Sequence, residues 1–302
     1  MLRQNIGLRK GEKVAVVTDR KRCEIFEKVC SGVEFLGGEL EKVRITGRRT
    51  NSAPLPELRE VFARSDVIIG ITDRSISHCP ETRIARKKRG TRVISMVEVD
   101  EKLFLKAMKA DQERIRKIGL KLYGKLRKCR KVRIITPSGT DVKVNVIKDA
   151  IGIDDGDSTG KGVLNNLPCG EVCVMPIDIA EGTIAIDFSK VGVNPEDGVK
   201  VVVKRGKIVK WNNKKARRFV EFLKKTDGEK ALRVVELGFG INPEHRELLG
   251  NIIHDEKILG SVHIAFGGYG DRRKCKIHED VILLKPDVFF DGKAVTRKGK
   301  IL

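Results

Sequence analysis

At 302 residues and 40% apolar content, the chain is long enough to bury a substantial core and to divide into two domains. Its apolar runs, such as 66–72 and 280–290, are too short to cross a bilayer, and the start MLRQNIGLRKGEK lacks the apolar centre of a signal peptide, so a cytoplasmic protein without a membrane partner is expected. The charge of +21 is dispersed over separate segments and few aromatic residues accompany it, so no specific nucleic-acid partner is expected and a charged, glutamine-poor surface of the thermophilic kind accounts for it.

Residues 12 to 130 alternate strand-like and helix-like segments, the pattern of βαβ units around a parallel, Rossmann-like sheet. The strands are KVAVVTD, LEKVRIT, DVIIGIT and TRVISMV. Between them RCEIFEKVCSGVEFLG, PLPELREVFARS and ETRIARKKRG have helical spacing, the first closed by Gly37 and Gly38 and the last by Gly90. One long helix is expected from about Asp100 to Cys129. The turn after the first strand, TDRKRCE, contains no glycine, so the phosphate-cradling loop of a dinucleotide domain is missing and this half reads as a scaffold.

From Lys131 the pattern changes to hairpins, beginning with KVRIITPSGTDVKVNVI around a PSGT turn. One helix, residues 213–226, interrupts them. The expectation is an α/β protein, with a parallel-sheet domain over 1–130 and a β-rich, metal-binding domain over 131–302.

The chemistry concentrates in the second half. Along a strand, residues i and i+2 share a face, so His278 and Asp280 in IHEDV present an imidazole and a carboxylate together, with Glu279 on the other side. Such a pair is either a structural His–Asp hydrogen bond or part of a metal site. His263 lies within the apolar run VHIAF, and Glu171 and Glu236 lie in apolar, strand-like stretches where an unpaired carboxylate is costly. Five oxygen and imidazole ligands suit zinc, cobalt, manganese or iron(II), and are enough to share between two ions about 3.5 to 4 Å apart. The seven cysteines include no CxxC pair, which signals neither a disulfide framework nor a cysteine zinc site.

Several other residues have plainer readings. His245 and His254 are read as surface or helix-end residues, and His78 as part of a loop after a strand. Asp255, Glu256 and Lys257 suggest an ion-paired segment beside the site. Asp178 and Glu181 are read as loop carboxylates, and Cys169 and Cys173, flanking Glu171, as buried packing residues.

NLPCGEVCVMPIDIAEGTIAID, ELGFGINP, DEKILGSVHIAFGGYG and HEDVILLKPDVFFDGK resemble, in order, signatures of the aminopeptidase T family of metallo-aminopeptidases. GEKVAVVTD, DVIIGITDRSISH and GTRVISM resemble its amino-terminal domain. The resemblance implies a binuclear centre of Glu171, Glu236, His263, His278 and Asp280 holding two divalent ions (zinc, cobalt or manganese). It also implies Glu236 as general base, assistance from Tyr269, removal of amino-terminal residues from a peptide substrate, and a homodimer. The stretch between His263 and His278 is shorter than in those peptidases.

Two other readings compete. His263, His278 and Asp280 alone form a two-histidine, one-carboxylate set suited to non-haem iron(II), as used by the dihydroxypyridine dioxygenases, which resemble this family. The third reading is a basic binding protein that keeps its metals for structure. Both Glu171 and Glu236 are retained, which favours two metals.

Overall fold

The structure, a computed structural model, describes residues 1–47, 51, 53–177, 179–269 and 273–302, the side chains of Tyr269 and Arg273 excepted. The chain forms two compact units, the first built from Met1–Ala110 and Asp154–Cys169, the second from Asp111–Ile153 and Gly170–Leu302. The boundary expected at residue 130 thus falls within the second unit, and the first unit recruits a later segment.

The first unit is a five-stranded parallel sheet. Its order is Glu39–Arg44, Lys13–Thr18, Val67–Thr72, Arg92–Val97 and Leu164–Asn166. Val67–Thr72 and Arg92–Val97 are buried at every residue, which is why neither alternates apolar with polar side chains, although Arg92 and Ser95 lie within the second. Helices Glu24–Phe35 and Pro80–Arg89 match the expected spacing. Pro80 occupies the first turn, where its missing N–H goes unused, and Gly90 closes the helix in the left-handed region at φ 78°. After the first strand, the Asp19 carboxylate accepts the amides of Asp73 and Arg74, an anion where a dinucleotide fold places phosphate.

The single helix expected from Asp100 to Cys129 is instead two, Glu101–Lys109 and Gln112–Leu126. Ala110 is extended, and Asp111 accepts the Arg114 amide as the N-cap of the second helix. The break coincides with the passage from the first unit to the second. Within the second unit that helix buries Ile115, Gly119, Leu122 and Leu126.

The second unit carries two antiparallel sheets. One has eight strands and includes the predicted hairpin, Lys131–Ile135 with Asp141–Asn145. The other has six, ordered Phe188–Ser189, Arg273–Leu283, Val262–Tyr269, Val234–Gly240, Glu171–Val174 and Ile151–Asp154. Helix Lys214–Asp227 is capped by Asn213, which accepts the Ala216 amide. It buries Ala216, Phe219, Val220 and Leu223, a stripe at helical spacing, and Phe219 meets Phe266 of the six-stranded sheet edge to face at 5.9 Å. Among the described residues no helix is long and apolar enough to cross a membrane.

Candidate metal centre

Four neighbouring strands of the six-stranded sheet bring the predicted ligands together. Gly240 stands opposite Glu171, and Gly238 opposite both Cys173 and His263. Ala265 stands opposite Glu236 on one side and Asp280 on the other, and Gly267 opposite His278. Directly paired residues project from the same face, so Glu171, Glu236, His263, His278 and Asp280 share one face, interleaved with glycines and an alanine. The intervening residues on the other face, among them Val172, Leu237, Phe239, Ile264, Phe266 and Val281, are buried and apolar. One period-two pattern therefore assigns chemistry to one side and core to the other.

The small residues make room for the ligands. A Cβ on Gly238 would lie 2.0 Å from His263 Nε2, so the imidazole rests in the space that the missing side chain leaves.

The two histidines are held alike. His263 Nδ1 contacts the Glu256 carbonyl at 3.2 Å, and His278 Nδ1 contacts that of Gly268 at 2.9 Å. Each carbonyl requires a proton on Nδ1, which directs Nε2 inward as the coordinating atom. Both Nε2 atoms converge on Glu236, at 3.7 Å from His263 and 3.2 Å from His278. His263 Nε2 also lies 3.3 Å from Glu171, and His278 Nε2 3.5 Å from Asp280. Ligand atoms of Glu236, His278 and Asp280 lie within 4.8 Å of one another, as do those of Glu171, Glu256 and His263, and those of Glu171, Cys173 and Glu236. This donor set of carboxylates and outward-anchored imidazoles fits a divalent ion.

The electrostatics follow from crowding anions in a dry place. At Glu236 burial opposes ionisation, but the hydrogen bonds and charges of His263 and His278 outweigh it and hold the carboxyl below its ordinary range. At His263 burial opposes the cation, yet Glu236, Glu171 and Glu256 raise its pKa to about 9. His278 is likewise raised against burial, by Asp280 and Glu236. Burial, with Glu171 and Asp280 nearby, pushes Glu256 up to about 7 despite Lys257.

Sequence reasoning missed the directness of the Glu256–Lys257 contribution. Lys257 is fully buried, its Nζ 2.5 Å from Glu256 and 3.5 Å from Glu171, and Glu256 groups with Glu171 and His263 as a possible ligand. Three consecutive charges at the entrance to an apolar strand were the available signal.

The remaining candidates divide. Glu279 faces away, accepting from the Ser189 hydroxyl at 2.7 Å. Cys173 lies on the ligand face, whereas Cys169 belongs to the first unit and packs against Gly156. His78 is exposed in the first unit, and Glu181 is exposed on the eight-stranded sheet. The reading of His245 and His254 as surface or helix-end residues is corrected as to the surface: His254 lies in the short helix Ile252–Asp255, but both are wholly buried and stacked at 3.8 Å, with His254 Nδ1 2.9 Å from the Asp255 carboxylate. Their polar sequence neighbours concealed this, because Asp255 turns inward to accept the amides of Leu249 and Gly250. The Tyr269 side chain and Asp178 lie outside the described residues.

The fold and this cluster define a two-unit α/β enzyme with metal-binding carboxylate and histidine groups. The model of the family 2,5-dihydroxypyridine 5,6-dioxygenase, NicX, matches residues 4–302, and the chain belongs to that family. The solved structure of the 2,5-dihydroxypyridine dioxygenase from Pseudomonas putida KT2440 is similar at a TM-score of 0.81 and 17% identity, over 96% of this chain and 92% of that one. AmpT from Thermus thermophilus is similar at 0.66 and 16% identity, over 99% and 96%. No curated protein sequence matches significantly.

These findings overturn the expected aminopeptidase function. Its signature segments belong to a ladder whose fold is common to the dioxygenase and the aminopeptidase-like structure, so they report the scaffold rather than the reaction. The family match identifies a dioxygenase family.

Proposed function

We propose that the chain is a dioxygenase acting on a dihydroxylated pyridine, with one iron(II) held by His263, His278 and Asp280. The family match over residues 4–302 carries the reaction class. The ligand assignment is supported by the two imidazoles, each tied through Nδ1 to a backbone carbonyl with Nε2 directed inward. Iron(II) in a two-histidine, one-carboxylate site supplies redox chemistry with dioxygen and open positions for substrate.

The chain's own residues orient the ring and manage its protons. The Glu236 carboxylate, buried between the two histidines, is placed to accept the proton of a ring hydroxyl. Lys257 offsets the charge of Glu171 and Glu256, leaving these two carboxylates engaged with an ammonium rather than a second ion. Opening the C5–C6 bond with both atoms of one dioxygen leaves a carboxylic acid at C5 and an N-formyl group at C6. No external reductant is required.

The test is to strip the protein with a chelator, reload it with iron(II), zinc or manganese, and follow dioxygen consumption with 2,5-dihydroxypyridine. Iron alone should restore uptake, at one ion per chain, and Asp280→Ala should abolish it. A plateau at two ions, or no uptake with iron, would reject the proposal.

A further inference from the structure

Between the strands Val234–Gly240 and Val262–Tyr269 the chain folds back against one end of the ligand face. The Asn242 amide donates to the Lys257 carbonyl, the Leu259 amide to that of His245, and the Gly260 amide to that of Gly240. The packing is close enough that a Cβ on Gly240, which stands opposite Glu171, would collide with the Ile258 carbonyl oxygen. Two residues of the returning limb reach the metal cluster. The Glu256 carbonyl accepts the His263 Nδ1 proton at 3.2 Å, and Lys257 Nζ lies 3.5 Å from Glu171.

The turn just before those two residues is gripped at His254. Its carbonyl accepts the Lys257 amide at 3.1 Å and His245 Nδ1 at 2.9 Å. A carbonyl can only accept, so the His245 proton is on Nδ1. The two rings stack at 3.8 Å with 16° between their planes. On its other side His254 Nδ1 meets the Asp255 carboxylate, which holds the Leu249 and Gly250 amides. Both imidazoles are wholly buried, so a donor removed from position 245 is not replaced by bulk water.

We propose that His245 is a positioning residue for the metal ligand His263, an assignment that rests on His263 as a ligand and on the dioxygenase reading only for the choice of iron. Its Nδ1–H anchors the His254 carbonyl, two residues before the Glu256 carbonyl that sets the tautomer and ring angle of His263. The buried hydrogen bond at 245 therefore governs where His263 Nε2 points. Partners that orient a metal-binding histidine are worth about 10–100-fold in metal affinity, and His245, acting through one further peptide segment, belongs at the lower end.

Three variants separate the donor from the ring. His245→Phe keeps an aromatic ring against His254 and deletes the donor. His245→Asn deletes the ring and keeps an N–H where Nδ1 stood, whereas the longer His245→Gln carries its N–H toward the Nε2 position. Calorimetry under nitrogen gives the Kd for iron(II) and, separately, for zinc, and urea unfolding of metal-free protein reports stability. His245→Phe and His245→Gln should weaken both ions about tenfold, while His245→Asn stays within about threefold of the parent protein even where it is the less stable variant. In zinc-loaded protein with nitrogen-15 histidine, magnetic resonance should show the His263 Nδ1 proton exchanging with water faster in His245→Phe and His245→Gln than in His245→Asn. Parental affinity in His245→Phe and His245→Gln would overturn the proposal. So would an equal loss in His245→Asn and His245→Gln, because ring packing would then be what matters. Binding is read with either ion and without turnover, so a protein that shows the expected pattern yet consumes no dioxygen would lose the dioxygenase reading and keep the role of His245.

Discussion

Gly238 lies directly opposite His263 in the antiparallel ladder, and the imidazole occupies the position that a side chain at 238 would take. Gly238→Ala should therefore push His263 off its site while preserving the fold. The expected cost is ~1–3 kcal/mol of stability, with a fall in iron affinity of at least tenfold. Metal titration alongside urea unfolding separates the two effects. Unchanged iron affinity in the variant would show that His263 is not a ligand.

Uptake of the ion should release protons. In stripped protein His263 is protonated up to about 9, and His278 is raised as well, so at neutral pH both Nε2 atoms hold protons that the ion must displace. Apparent affinity should accordingly climb as pH rises toward about 9. Stability runs the opposite way: the ion pairs of these raised histidines act fully below the ordinary histidine range and are lost as pH rises through about 9. Calorimetry in two buffers of different ionisation enthalpy gives the proton count, and a count of zero at pH 7 would contradict the assignment.

Lys257 is a buried cation among carboxylates, and removing it leaves Glu171 and Glu256 with His263 alone to offset their charge. Lys257→Met should destabilise metal-free protein by ~3–5 kcal/mol, the range for breaking one side of a buried pair. Glu256→Gln in the same background should recover part of the loss, because it deletes one of the stranded charges. A double variant no more stable than Lys257→Met would argue against a direct pairing.

The helix Gln112–Leu126 begins on the Asp111 cap, so Asp111→Ala should cost about 1 kcal/mol while Asp111→Asn is nearly neutral. Chemical unfolding monitored by circular dichroism checks both. Equal losses in the two variants would mean that the side-chain oxygen is not what matters.

The central strands of the first unit were legible because runs such as VIIGIT are almost wholly apolar and helices end on signals such as Gly90. The break at Ala110 was written as an Asp cap inside a continuous helical period, and periodicity hid it. The strand Leu164–Asn166 has three residues, too few to display a period, and its pairing depends on distant sequence. At the site, the i, i+2 spacing of His278 and Asp280 disclosed a shared face, whereas the contact of Lys257 with Glu171 spans 86 positions and has no local mark. The stacking of His245 on His254 was hidden for the same reason, since polar neighbours suggest solvent until the fold turns them inward. Reaction class was the least legible, because the same ligand types suit hydrolysis and oxygenation.

The return of Leu164–Asn166 to the parallel sheet bears on how the protein can be made and cut. A ribosome that has released residues 1–110 has delivered four strands of a five-stranded sheet, and Arg92–Val97, buried throughout in the finished fold, waits with one row of amides and carbonyls unmatched until residues 164–166 emerge. A fragment ending at residue 110 would carry that bare edge permanently, inviting strand-to-strand association between copies. Soluble expression of the first unit therefore calls for grafting residues 154–169 onto its end rather than truncating the gene, and the nascent chain has reason to meet a chaperone in the interval.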